Sequence, residues 1–131
     1  MKVLIADDDR VVRSMLADLL AELGHAVVAA ENGAEAVELC EREAPDVLIL
    51  DFLMPKLSGL DALHALRERG VRAPVVLLTA ISDGSFRAVE GAEAVDVLLP
   101  KPVTRRGLER ALARVTRPAA IPPKRRNYGA G

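Results

Sequence analysis

Five short apolar runs punctuate the chain: Val3–Ala6, Ala26–Ala30, Val47–Leu50, Val75–Leu78 and Val95–Leu99. Most are continuous and built from Val, Ile and Leu rather than alternating with polar residues. That is the pattern of strands covered on both faces, and it predicts a parallel sheet. Helical periodicity fills the gaps. Val11, Val12, Met15, Leu16, Leu19, Leu20 and Leu23 recur at helical spacing, with Asp9 placed to cap that helix and Gly24 to end it. A second helix is expected over about 34–42, stopping before Ala44-Pro45, because a residue preceding proline is pushed out of helical backbone. A third is expected over about 60–69, ending at Gly70. The last begins near Thr104, a good N-cap, and buries Leu108, Ala111, Leu112 and Val115. The fourth, near 85–93, is the weakest, because Gly84 and Gly91 interrupt it and an interior glycine costs roughly 1 kcal/mol relative to alanine. Strand and helix thus alternate five times. The expected fold is α/β, a three-layer sandwich of a five-stranded parallel sheet and five helices joined by right-handed crossovers.

Composition narrows the class. A chain of 131 residues that is 50% hydrophobic can bury one full core. With no Trp, one Tyr and two Phe, aliphatic side chains must build it. Cys40 is the only cysteine, which excludes an internal disulfide and a cysteine metal cluster. No apolar stretch approaches the ~18 residues of a membrane span, and acidic residues begin at position 7, too early for a signal peptide. The expectation is a cytoplasmic protein that does not engage a membrane. The charge is uneven. Residues 1–109 hold all 19 acids and 12 of the 18 bases, whereas 110–131 hold 6 bases and no acid. Pro118 to Gly131, with three prolines and Lys124-Arg125-Arg126, reads as a tail or linker beyond a domain of residues 1–117.

In an open α/β sheet, sites form beyond the carboxyl ends of the strands. Asp7, Asp8 and Asp9 follow the first run, Asp51 the third, Thr79 the fourth, and Pro100, Lys101 and Pro102 the fifth. Taken alone, Asp9 is as readily a helix cap as a functional acid. The set is different. Two unit charges ~4 Å apart repel by about 4 kcal/mol at an effective dielectric near 20, so gathering Asp7, Asp8 and Asp51 calls for a cation. Carboxylates without His or Cys suit a hard, oxygen-preferring ion, Mg²⁺ first. Such an ion with open positions points to phosphoryl chemistry, with a lysine and a threonine to meet phosphoryl oxygens.

The stretches VLIADDD, DVLILDFLMPKLSGLDAL, VVLLTA and LPKPV, in this order and spacing, resemble the receiver domain of two-component response regulators. The resemblance covers Met1 to about Arg117. It implies a flavodoxin-like fold with strand order 2-1-3-4-5. It makes Asp51 the phosphoacceptor, and Asp7, Asp8, Asp51 and the backbone carbonyl of Leu53 the Mg²⁺ ligands, with Mn²⁺ a possible substitute. Thr79 would contact the phosphoryl group and Lys101 would pair with one of its oxygens, held by a cis bond before Pro102. The implied donor is a phosphohistidine on a sensor histidine kinase or phosphotransfer protein. The implied readout is the surface of the fourth helix, fifth strand and last helix, acting on a downstream protein or on the chain's own output domain. The domain would catalyse its own phosphorylation and dephosphorylation without being a conventional enzyme, and it carries no nucleic-acid-reading element.

The pattern departs from the family at Leu98, where Tyr or Phe is frequent, at Ala94, where Gly is frequent, and at Val103, where Phe is frequent. Leu53 and Ile81, two residues after Asp51 and Thr79, are both aliphatic where polar residues are common. Two other readings of the same architecture remain. A small Mg²⁺-dependent phosphohydrolase would carry its nucleophile on the first strand and need a cap. A flavin binder would need a phosphate loop where the three aspartates stand.

Overall fold

The computed structural model of the protein describes residues 1–80 and 91–116. Five parallel strands, β1 (Lys2–Ala6), β2 (Ala26–Ala30), β3 (Val47–Asp51), β4 (Val75–Thr79) and β5 (Val97–Pro100), form one sheet in the order β2-β1-β3-β4-β5. Four α-helices lie among the described residues: α1 (Arg10–Glu22), α2 (Gly33–Glu43), α3 (Gly59–Glu68) and α4 (Arg105–Thr116). The helix expected near 85–93 falls largely outside the described residues, as do Ile81 and the tail. After Gly91 the chain makes a short 3-10 turn at Ala92–Ala94.

The central strands β3 and β4 are buried along their whole length, as continuous apolar runs require. Alternate side chains feed two cores. Val3, Ile5, Ile49, Val76 and Leu78 pack with Leu16 and Leu20 of α1 and Leu108 and Leu112 of α4. Leu4, Leu48, Leu50 and Leu77 pack on the other face with Val37 of α2 and Leu63 and Leu66 of α3. The edge strands differ: β5 alternates buried and exposed positions, and β2 is only partly covered. Leu98, on β5, is 37% exposed.

Local chemistry sets the helix ends. Asp9 accepts the Val11 amide at 2.9 Å and caps α1, and Gly24, at φ +92°, turns the chain out of it. Asn32 caps α2 through the Glu35 amide, and Ser58 caps α3 through the Asp61 amide. Thr104 Oγ1 accepts the Gly107 amide at 3.0 Å at the start of α4.

Two aspartates secure the amino ends of the sheet. Lys2 donates its amide to Asp46 Oδ2 at 2.8 Å while Asp46 returns its own amide to the Lys2 carbonyl. Asp96 repeats the device on β4: Val75 donates to Asp96 Oδ2 at 2.8 Å and Asp96 donates to the Val75 carbonyl. Each aspartate immediately precedes the strand that pairs with the one it holds. This is why β5 begins at Val97 rather than at Val95, the start of the apolar run.

Candidate functional site

The carboxyl ends of β1, β3, β4 and β5 surround a cavity of about 330 Å³, lined by Asp8, Asp9, Asp51, Phe52, Leu53, Thr79, Ala80 and Lys101. Asp7, the residue after β1, is fully buried beside it, whereas Asp8 is exposed. Asp51 ends β3 and Thr79 ends β4, and both are buried. Lys101 follows β5, its amide bonded to the Thr79 carbonyl at 2.9 Å, and the Lys101–Pro102 peptide bond is cis. The structure therefore brings together Asp7, Asp8, Asp51, Thr79 and Lys101, all singled out from the sequence. Leu53 lines the cavity and is 71% exposed.

The electrostatics follow from this placement. Lys101 Nζ stands 3.1 Å from Asp51 Oδ2 and 3.4 Å from Asp7 Oδ2. Burial and the neighbouring Asp7 charge push the Asp51 carboxyl up to about 6, against the pull of Lys101 and of the Leu53 amide. Burial also draws the Lys101 ammonium down, but the two carboxylates outweigh it and leave its pKa above the ordinary value.

One carboxylate oxygen each from Asp7, Asp8 and Asp51 lie within 4.8 Å of one another. Asp7 Oδ1 accepts the Asp9 amide at 2.8 Å, but Asp7 Oδ2 is buried with no hydrogen bond among the described residues. Its charged neighbour is the Lys101 ammonium at 3.4 Å, one positive charge shared with Asp51 and set against three carboxylates, which leaves the buried oxygen able to take a further cation. An all-oxygen donor set fits a hard divalent ion.

Two contributors escaped the sequence reading. Arg13, one turn into α1, donates from Nη1 to the Asp7 carbonyl at 2.7 Å. Its place four residues after the cap Asp9 is the signal that points it back toward the acidic turn. Gly59 lets α3 start against the end of β3, for a Cβ there would collide with the Asp51 carbonyl oxygen. Cys40 lies apart from the site, buried, with its thiol pushed up to about 11 by burial and by Glu41.

A parallel sheet in this order, with acids, a hydroxyl and a lysine at its carboxyl ends, defines a flavodoxin-like class of domain with a polar site at the carboxyl ends of its strands. The sequence profile described as response regulator receiver domain matches residues 3–113, and the chain belongs to that family. It is 41% identical over 115 residues to the response regulator MprA of Mycobacterium leprae, a match covering 88% of this chain and 49% of the mycobacterial protein. The chain thus spans about half the length of that relative. Among solved structures, the chemotaxis protein CheY4 of Vibrio cholerae superposes with a TM-score of 0.81 at 30% identity, covering 87% of this chain and 97% of that one. The response regulator TrrA of Thermotoga maritima, in complex with Mg²⁺ and BeF, gives 0.79 at 30% identity over 87% and 97% of the two chains. The receiver domain of a sensor histidine kinase from Pseudomonas aeruginosa, with a magnesium ion in its active-site cleft, gives 0.78 at 31% identity over 87% and 95%.

Proposed function

We propose that this receiver domain is a phosphorylation-dependent switch that takes a phosphoryl group onto Asp51. The observation that carries the reading is the Asp51 carboxylate, buried at the end of β3 and 3.1 Å from the Lys101 ammonium, opening on the cavity. The metal-bound structures of its relatives support it. An Asp51 oxygen forms a bond to phosphorus as the bond from phosphorus to the donor's imidazole nitrogen breaks, and the imidazole leaves with the electron pair. Asp7, Asp8, Asp51 and the Leu53 carbonyl would hold Mg²⁺, or Mn²⁺ in its place. When bound, that ion supplies positive charge to the phosphoryl oxygens.

The chain's own residues do the rest. Lys101 offsets the charge that gathers as the phosphoryl group transfers, and its tie to the Thr79 carbonyl keeps it at the mouth of the site. Thr79 offers its hydroxyl to the new acceptor oxygens. Phosphorylation adds about −1.5 to −2 charge, enough to bias the ends of β4 and β5 toward a second arrangement. The donor is a sensor histidine kinase or phosphotransfer protein. The output is a separate protein or a domain joined through residues 118–131, with residues 1–117 as the receiver.

Intact-mass measurement after incubation with acetyl phosphate and Mg²⁺ tests the assignment. The wild type should gain one hydroxylamine-labile phosphoryl group and Asp51→Asn none; Thr79→Ala should still gain it. A phosphorylated Asp51→Asn overturns the assignment.

A further inference from the structure

We infer that Arg13 is a positioning residue for the divalent cation: it fixes the acidic turn after β1 so that Asp7 Oδ2 is presented already in place. The inference rests on the Mg²⁺ reading above. Every other polar atom of Asp7 is committed. Its amide donates to the Ala30 carbonyl at 3.2 Å, its Oδ1 accepts the Asp9 amide at 2.8 Å, and its carbonyl accepts Arg13 Nη1 at 2.7 Å. Oδ2 alone has no hydrogen bond among the described residues, and it is the oxygen 3.4 Å from the Lys101 ammonium.

These bonds close a ring with the first turn of α1. Asp9 caps the helix through the Val11 amide, and the Asp9 carbonyl accepts the Arg13 amide at 2.9 Å. The helix therefore carries Arg13 at a fixed distance from the turn, and the guanidinium reaches back from the helix to the main chain of Asp7. Without this strut, the Asp7 carbonyl loses that partner and the turn is tied to the helix cap through the Asp9 amide on Asp7 Oδ1, so it has more freedom to lose when a cation binds. Groups that orient a metal ligand by hydrogen bonding typically change metal affinity by roughly 10–100-fold when removed.

Arg13 also brings a positive charge to the main chain of Asp7, and that effect has the opposite sign. A counter-charge lowers the attraction of the site for a divalent ion, so its removal would tighten binding. The direction of the change separates the two roles.

The experiment measures Mn²⁺ binding to the full chain by the electron paramagnetic resonance of the free ion, with metal-free thermal melts alongside. Wild type, Asp8→Ala, Arg13→Ala, Arg13→Gln and Arg13→Lys are compared. We expect Arg13→Ala to raise the Mn²⁺ dissociation constant about tenfold, and Arg13→Lys, which keeps a donor, to restore much of the affinity. Arg13→Gln, a neutral donor, should fall between. Arg13→Ala binding Mn²⁺ as tightly as wild type, or more tightly, overturns the positioning role. So does a loss in Arg13→Ala that Arg13→Lys and Arg13→Gln share in full. A wild type that binds no Mn²⁺, or binds it equally in Asp8→Ala, overturns the cation reading itself and with it the inference.

Discussion

Asp51 sits in an environment that resists its own ionisation. Burial and the Asp7 charge raise its pKa from 3.8 to about 6 in the folded, metal-free protein. A folded-state pKa above the unfolded value means that the proton stabilises the fold. That stability is present below about 4 and is lost as pH rises through about 6. Asp51→Asn removes the charge without changing the shape. In EDTA it should therefore melt higher than wild type at pH 7.5, and the difference should shrink toward zero at pH 4. A variant that melts lower at neutral pH would contradict the electrostatic account. The acids and Lys101 were legible because each follows an apolar run, where strand ends converge. Gly59 was not, since its contact with the Asp51 carbonyl exists only once α3 has docked, and the spacing of Arg13 from Asp9 points it toward the turn without saying that it reaches the Asp7 carbonyl.

Helices and strands show the same division. Continuous Val, Ile and Leu runs located β1, β3 and β4 to within a residue, because burial on both faces leaves no room for polar interruption. At β5 the run misleads by two residues, since Asp96 within it is engaged with the β4 backbone. α4 carries a second feature that its caps and apolar stripe do not explain. Arg106, Arg110 and Arg114 are exposed at successive four-residue steps, so like charges stack along one face. Arg106 also lies in the first turn, where the helix dipole disfavours a cation, and no acidic residue offsets it there. Each like-charged pair costs roughly 0.2–0.5 kcal/mol and an opposite pair returns a similar amount. Arg110→Glu should therefore raise stability by roughly 1 kcal/mol in urea denaturation at low ionic strength. The gain should fade in ~0.5 M salt, where screening removes it; a gain that survives the salt would point to a cause other than charge.

Across the whole molecule, the two ends of the sheet are built differently. At the amino ends, Asp46 and Asp96 each exchange two hydrogen bonds with a neighbouring strand. Arg67 adds bonds from α3 to the Val71 and Ala73 carbonyls at 2.9 Å and approaches Asp96 at 3.9 Å. At the carboxyl ends, carboxylates crowd around a cavity and Asp7 Oδ2 is buried with no hydrogen bond among the described residues. The consequence is a gradient in how readily the backbone opens to solvent. In native-state hydrogen exchange, the amides of Lys2, Asp46, Val75 and Asp96 should report only the rarest openings. That of Leu53, held by a 3.4 Å bond to Asp51 Oδ1 beside the cavity, should exchange through frequent local ones. Asp96→Ala should bring the Val75 amide down to the faster class and leave the Lys2 amide slow. If the two strand starts accelerate together, the sheet opens as one unit and the gradient does not exist.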